Sequence, residues 1–438
     1  MLADALLELA SHDKAADDLV ERMIATPKEN IKRFKVKMSR LKRSRRFVRW
    51  GESAGLAREL ATLLEDLKAG VDGPCTGAGL VAAFFETDEA TLGNCDDSSG
   101  HVGDVYRYDA RDLFVWYASQ CEDKKWLSKL VLDLNREDGY GVRDSLINAA
   151  AEYLPEPVMR GMIERLLEAA AQETDEHHRR HWLYRVESLA KQLKDAQLFE
   201  KTRVAAWGGL STAACMDIAK VHLESGNAQA ALAWLERIPV AETYMAQERD
   251  ELLLEIYGEL GDREKQTEIS WRIFRSHRSE DSFAGLLDVI GEDKREQVIA
   301  REAEIILQEK RLSHSNAAFL LALGLVDEAE TYLLARTAQL NGDLYSSLLP
   351  LAKALEAEKR SLVASVIYRT MLDSILRRAQ SKYYSHGVRY LKKLDSLAES
   401  VSDWQDVITY DAYLGMLRQN HSRKSAFWSR YENEPGML

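Results

Sequence analysis

Apolar residues recur at every third or fourth position through most of the chain, and the breaks between stripes fall at Gly, Pro, Asn and Asp. The clearest unit runs from Cys215 to Pro239. Ile218, Ala219, His222 and Leu223 keep a helical stripe, Gly226-Asn227 interrupts it, and Ala230, Ala231, Trp234 and Leu235 resume it until Pro239. This predicts a hairpin of two antiparallel helices, with small residues where the backbones cross and a large aromatic one turn later to fill the remaining gap. The unit recurs. Gly226 is followed by Ala231 and Trp234, Gly324 by Ala329 and Tyr332 at the same offsets, and Gly261 more loosely by Gln266 and Ile269. Gly226 and Gly261 stand 35 residues apart, Gly291 and Gly324 stand 33 apart, and both intervals suit a two-helix repeat. One hairpin cannot bury its apolar face alone, so successive hairpins must stack. The expected fold is all-α, an α-solenoid of antiparallel helical hairpins with a concave face.

Leu6, Leu7, Leu9, Leu19, Val20 and Met23 predict a helix or a pair of short helices before Thr26-Pro27. Ile31, Phe34, Met38 and Leu41 then mark one buried stripe of an amphipathic helix extending to Trp50. Gly51 to Lys68 carries Leu56, Leu60, Leu63, Leu64 and Leu67 on one side, and Leu80 to Glu86 begins another helix. From Ser211 onward the hairpins dominate. Trp404, Tyr410, Tyr413 and Leu417 mark a late helix, and Phe427, Trp428 and Tyr431 an end cap. Two regions are expected: 1–200, helical with a basic helix and acidic Gly/Asp loops, and 201–432, the repeats with their capping helices.

Composition fits this reading. Pro accounts for only 7 of 438 residues, and 46% apolar with 30% charged residues suits a helical chain without a large single core. The longest apolar runs, Leu80 to Phe85 and Ala317 to Leu323, are too short to span a bilayer, and Met1 to Ala10 lacks the basic start of a signal peptide. Cys75, Cys95, Cys121 and Cys215 are scattered with no C-x-x-C pair, which reads as reduced thiols in a cytoplasmic protein. The formal net charge of −12 argues against nucleic-acid binding by the surface as a whole.

Local chemistry changes that picture in a few places. From Ile31 to Trp50 there are ten Lys or Arg and no acid. Lys35, Arg40, Lys42, Arg43, Arg45 and Arg46 are the expected contacts to nucleic acid or an acidic partner, against the plainer reading of a solvated face neutralised by neighbouring helices. In Cys95 to Arg107, Asp96, Asp97 and Asp104 surround Ser98, Ser99, Gly100 and Gly103. Oxygen ligands on a tight loop suit a divalent cation. The calcium-loop register fails, however, because Ser99 falls at the turn-glycine position and Val105 at the bidentate-glutamate position. The structural alternative has Asp97 or Ser98 capping a helix and Asp104 pairing with Arg107 or Arg111. Asn135 to Leu146 again mixes acids with Gly139 and Gly141, and the two loops could form one acidic ridge. His177 and His181 have metal-ligand spacing but no H-E-x-x-H pattern, so no metal site is assigned. Arg377, Arg378, Lys382, Arg389, Lys392 and Lys393, interleaved with Tyr383, Tyr384 and Tyr390, form a second basic region that could track a nucleic-acid backbone, although tyrosines at this spacing also pack repeats.

The hairpin at Cys215 to Pro239 resembles a tetratricopeptide hairpin. RSRRFVRW (Arg43 to Trp50), CDDSSGHVGDVYR, NREDGYGVRDSL, HGVRYLKKLDSL and the stretch Ser402 to Trp428 resemble a bacterial helical-repeat family of unknown function, similar to the C-terminal region of bacterial SWIM zinc-finger proteins. The D-D-S-x-G-x-x-G-D string is the most specific part. The resemblance implies a scaffold and no activity. A SWIM finger needs C-x-C and C-x-H pairs, which are absent here, so its zinc and DNA-binding role do not carry over.

No Ser-His-Asp, P-loop, G-x-G-x-x-G or metalloprotease pattern appears, so neither an enzyme nor a cofactor is implied. The leading expectation is a cytoplasmic scaffold or adaptor that holds a protein partner on its concave surface. Nucleic-acid binding through residues 31–50 comes second. A divalent-cation protein using Asp96, Asp97 and Asp104, with Asp138, comes third.

Overall fold

In a computed structural model, residues 27–136, 138–207 and 210–433 are described. The helix expected before Thr26-Pro27 lies outside them. Every regular element among the described residues is helical except one isolated parallel bridge between Val48 and Cys95. The chain divides into two compact units, Met1–Met245 and Ala246–Leu438, later than the expected boundary after residue 200. The hairpin at Cys215 belongs to the first unit because its Trp234 and His222 are tied to a preceding helix.

In the first unit α1 (Pro27–Arg43), α2 (Trp50–Gly70) and α3 (Pro74–Phe85) are followed by the short α4 (Asp88–Gly93) and α5 (His101–Asp104). A π turn, Val105–Ala110, leads into α6 (Arg111–Gln120) and α7 (Lys124–Asn135). Next come α8 (Asp144–Asn148), α9 (Glu156–Gln172), α10 (Glu176–Gln192) and α11 (Ala196–Trp207), then the hairpin α12 (Thr212–Glu224) and α13 (Ala228–Leu235). The α1 stripe packs as expected, with Phe34 and Met38 buried and Ile31 and Leu41 partly so. Leu60, Leu63, Leu64 and Leu67 of α2 join the same core. Helix α1 stops at Arg43, however, short of Trp50. The backbone N–H of Val48 donates to the Asn94 carbonyl (2.8 Å), and the Asp96 N–H donates to the Val48 carbonyl (2.9 Å). These bonds draw residues 44–49 into an extended course.

The thiols also differ from expectation. Cys75 at the start of α3 and Cys121 after α6 form a disulfide across 46 residues, while Cys95 and Cys215 are free. Tertiary proximity of α3 and α6 brings the first pair together, which no local spacing could indicate.

The second unit comprises α14 (Ala246–Leu260), α15 (Arg263–Ser276), α16 (Glu280–Ile290), α17 (Arg295–Gln308), α18 (His314–Ala322), α19 (Val326–Leu334), α20 (Tyr345–Ala357), α21 (Ser361–Arg378), α22 (Tyr384–Ala398), α23 (Tyr410–His421) and α24 (Ser425–Asn433). The closest helical pairs are α14 with α15, α15 with α16, α18 with α19, α20 with α21 and α21 with α22, and the stack continues with α18 against α20 and α19 against both α17 and α21. The turns form as the repeat pattern requires. Gly226 and Gly324 adopt φ of 82° and 74°, a left-handed conformation that costs glycine little, while Ala231, Trp234, Ala329 and Tyr332 are all buried. Side-chain caps open many helices: Ser211, Asn227, Asp262, Ser279 and Ser313 each accept from a backbone N–H three residues on. At the C-terminal end Phe427 is fully buried, 5.7 Å from the Tyr384 ring, and forms the cap expected there. Trp404 lies in the loop before α23 rather than in a helix, held under the Arg369 guanidinium at 4.5 Å.

Candidate functional site

The loop before α16 with its first residue Glu280, the helix α18 and the helix α20 line a groove of about 680 Å³ in the second unit. Its floor is small and apolar: Ala318 and Ala322 of α18 and Pro350 of α20 are exposed or partly so, Leu321 and Ala354 half-buried. His277, Ser279, His314 and Ser347 supply a polar rim. Pro350 sits inside α20 and has no N–H to donate, so the Ser346 carbonyl is left without its helical partner. Burial holds the His314 imidazole below its usual pKa, and its Nε2 has no hydrogen-bond partner.

Beneath the groove the hairpins are locked by a charged knot. The fully buried Glu302 of α17 accepts from Arg275 Nη2 (2.6 Å) on one oxygen and from Arg278 Nη2 (3.0 Å) on the other. Arg278 Nη1 also reaches Glu309 (3.0 Å) and Asn316 Oδ1 (3.1 Å). Phe274, Phe283 and Phe319 pack against one another beside it, with centroids 5.4 to 5.7 Å apart. The groove is therefore presented by a rigid wall, as selective binding requires.

The basic residues singled out from the sequence are displayed rather than consumed. Lys35, Arg40, Lys42, Arg43, Arg45 and Arg46 are all exposed. Lys42 pairs with Glu86, and Arg46 with Glu52 at 3.3 Å. Arg43 donates to Ser39 Oγ at 2.7 Å. Lys35, Arg40 and Arg45 have no ion pair among the described residues. Residues 44–49 add what a helix would have arranged differently: Phe47 is 59% exposed and Trp50 63% exposed amid the arginines. A groove of about 730 Å³ between α1 and α2 runs alongside, bordered by Lys37, Arg40 and Arg58 and also by Glu59 and Asp66.

The acidic loop is spent on its own architecture. Asp97 accepts from the backbone N–H of Val102 (2.9 Å) and Gly103 (2.8 Å), Asp96 Oδ1 accepts from the Ser98 N–H (3.3 Å), and Asp104 faces Arg107 at 3.8 Å. Gly100 supplies the left-handed turn. Asp97 alone caps α5, and no cluster of three metal-ligating side chains occurs among the described residues. In the second loop Asp138 and Asp144 are engaged by internal partners. Asp138 Oδ2 accepts from the Arg143 N–H (3.0 Å), the buried Arg143 closes on Asp88, and Asp144 pairs with Arg185 at 2.8 Å. Burial raises the pKa of Asp138, whose Oδ1 is unpartnered. His177 and His181 are exposed, with rings 4.7 Å apart.

In the second basic region Arg377 and Arg378 pair with Asp343, Lys393 pairs with Glu356, and Tyr384 and Tyr390 are buried repeat contacts. Only Tyr383 of its three tyrosines stands exposed, at 40%. Sequence reading missed Glu200, which accepts from Trp234 Nε1 (3.0 Å) and faces His222 Nε2 (2.7 Å), tying the hairpin to α11. It also missed Glu187, a buried carboxylate pushed up to about 7 by desolvation despite Arg203 at 2.9 Å. Neither glutamate has a local pattern that would mark it.

Comparison with curated proteins finds no match. Among solved structures, the chain is matched to one described as a circular tandem repeat protein with novel repeat topology and enhanced subunit contact surfaces. The identity is 15%, coverage is 99% of this chain and 98% of that one, and the TM-score is 0.15, too low to carry an argument. A family model matches residues 1–215 and 210–430, and the chain belongs to that family, a family of unknown function (DUF6880).

Proposed function

We propose that this protein is a non-enzymatic helical-repeat scaffold that holds a segment of a protein partner on the inner face of its second unit. The observation that carries the reading is the groove formed by the start of α16, α18 and α20, with small residues on its floor and a released carbonyl at Ser346. A floor of Ala318, Ala322 and Ala354 lets another backbone approach closely, and exposed apolar area rimmed by polar groups is the usual form of a peptide site. Ala318→Arg and Ala322→Arg put bulk and charge on the groove surface and leave the core untouched. Affinity capture from the native host followed by mass spectrometry should recover a partner with wild-type protein and lose it with these variants. Equal recovery with both would remove the groove from the reading.

A second reading is nucleic-acid binding through residues 31–50. It is favoured by the exposed Lys35, Arg40 and Arg45, which have no ion pair among the described residues, beside the exposed Phe47 and Trp50. Stacking on aromatics along a basic track is how single strands are held without sequence preference. Electrophoretic mobility of labelled single-stranded DNA and RNA tests it at two salt concentrations, since phosphate contacts weaken steeply with salt. No shift at low salt would end it. The divalent-cation reading gains nothing from the geometry, because Asp97 is occupied as a cap.

The finer kinship, to the repeat region of bacterial SWIM proteins and to tetratricopeptide hairpins, rests on the motifs quoted above and is part of the same proposal. So is a cytoplasmic location: no helix among the described residues is long and apolar enough to cross a membrane. In a reducing compartment the Cys75–Cys121 pair would have to persist against the thiol pool.

A further inference from the structure

A second cavity in the same unit, of about 190 Å³, shares no lining residue with the groove. It lies between the loop before α20, the end of α21 and the start of α22. Tyr345, Tyr383 and Tyr390 wall it, over Met371 and Ile375. Two backbone features build it. A β-carbon on Gly342 would stand 2.1 Å from the Thr370 carbonyl oxygen, so glycine alone lets this loop press against α21. Ala379, in a left-handed conformation at φ 53°, ends α21 and turns the chain into Ser381–Tyr383, which carries Tyr383 to the cavity.

The polar groups have definite roles. Asp343 receives Ser374 Oγ, Arg378 Nη2 (2.6 Å) and Arg377 Nη2 (3.5 Å), all on Oδ1, which leaves Oδ2 as an acceptor on a carboxylate whose charge is already balanced. Arg389 Nη2 lies 2.8 Å from His386 Nδ1. A guanidinium can only donate, so Nδ1 is unprotonated and a neutral His386 carries its hydrogen on Nε2. The cavity thus offers aromatic faces with their hydroxyls, an acceptor at Asp343 and donors at His386 and Arg378. Lys382 Nζ lies 4.9 Å from the Tyr383 ring centroid, so a positive charge stands beside one wall of the cavity, which Arg378 also lines.

We propose that this cavity binds the base of a nucleotide, with the phosphate towards Arg378 and Lys382. Drug-sized sites run to roughly 300–1,000 Å³, so a cavity of this size takes one ring system and little more. A base has two faces for tyrosines, an exocyclic amino group for Asp343 Oδ2, and a ring acceptor for His386. The same chemistry belongs to a free mononucleotide and to the terminal nucleotide of a single strand. The proposal is independent of both readings above.

Isothermal titration of the full chain with AMP, GMP and CMP, with adenosine, and with a 5′-phosphorylated oligodeoxyadenylate tests it. Saturable binding of at least one nucleotide is expected. Tyr345, 62% exposed, tolerates truncation, and Tyr345→Ala should weaken binding about tenfold, the loss of one stacked face. Lys382→Ala should weaken nucleotide and leave nucleoside unchanged, and Tyr244→Ala, in the other unit, should change nothing. Tighter binding of the oligonucleotide than of AMP assigns the site to strand ends, and the reverse assigns it to free nucleotide. Absence of saturable heat with every ligand up to millimolar concentration overturns the proposal, as does binding that Tyr345→Ala leaves intact while circular dichroism shows a folded protein.

Discussion

Replacing Asp88 by alanine should be among the most damaging single changes in the first unit. Arg143 Nε and Nη2 donate to the two Asp88 oxygens at 2.8 and 2.6 Å, and Nη1 donates to the Leu134 carbonyl at 2.9 Å. Both side chains are nearly sealed from water, at 4% and 1% exposure. A guanidinium does not lose its proton, so without Asp88 a full charge stays buried against one carbonyl. Breaking a buried pair from one side costs about 3–5 kcal/mol, whereas replacing both partners by apolar groups is often close to neutral. Asp88→Ala should therefore cost about 3–5 kcal/mol, and Asp88→Ala with Arg143→Met together should come within about 1–2 kcal/mol of wild type. Urea unfolding of the full chain followed by circular dichroism measures the stabilities, and hydrogen exchange across 138–148 shows where protection is lost. If Asp88→Ala costs under about 1 kcal/mol, or the double variant is as unstable as the sum of the singles, then Arg143 is not desolvated as described.

Trp234→Ala removes a buried ring and its bond to Glu200, and a loss of about 3–5 kcal/mol is expected in the same unfolding assay, against under about 0.5 kcal/mol for the exposed Tyr244→Ala. The Cys75–Cys121 bond closes a loop of 46 residues, for which the chain-entropy estimate is about 4 kcal/mol. Thiol titration of unreduced, denatured protein should find two reactive thiols, and four would show the bond absent. Glu187 has a folded pKa of about 7 against an ordinary 4.5, so its protonated form is favoured in the fold. That stability is complete below pH 4.5 and is lost as pH rises through 7. Glu187→Gln should accordingly gain up to about 3 kcal/mol at pH 8 relative to pH 5, when compared with wild type by thermal melting. An identical pH profile for both proteins would count against the buried charge. Ala379→Gly should raise stability by up to about 1 kcal/mol, since alanine bears the left-handed strain there.

The hairpins are legible in the sequence because their determinants are local. A glycine at the left-handed turn, a small residue five positions on and an aromatic eight positions on are all within one unit, and Gly226 with Ala231 and Trp234 behaves as Gly324 does with Ala329 and Tyr332. The features that depart from the pattern depend on distant partners. The positive run to Trp50 continues a helical pattern, but backbone bonds from Val48 to Asn94 and Asp96 stop the helix at Arg43. Trp404 has helical spacing to the residues after it, yet Arg369 holds it in a loop. Cys75 and Cys121, and the three tyrosines of the small cavity, meet only through packing between elements. Asn341-Gly342-Asp343 marks a turn by composition, though nothing local announces the close approach to Thr370 that makes its glycine necessary.

Charge counting misleads for the same reason. Arg143, Arg185, Arg278 and Arg336 are buried cations satisfied by carboxylates or carbonyls, and Arg369, held by the Ile408 carbonyl and the Trp404 ring, keeps two guanidinium nitrogens without a hydrogen bond, so all five add little to an outward field. Of the acids that hold them, Asp88 and Glu302 are fully withdrawn and Asp144 is half-buried. What reaches solvent is local, and on residues 31–50 it is positive within a chain of net charge −12. This separates the two ways the protein could meet a nucleotide. Contacts along 31–50 would be to phosphates, each neutralised phosphate releasing a counterion, so affinity there must fall by orders of magnitude between low and moderate salt. Contacts in the tyrosine cavity would be mostly stacking on one base, with a single phosphate at its end, and must fall only shallowly with salt. A salt titration of one oligonucleotide against wild type and Tyr345→Ala therefore reports which surface is engaged, because only the shallow component of the affinity can depend on Tyr345.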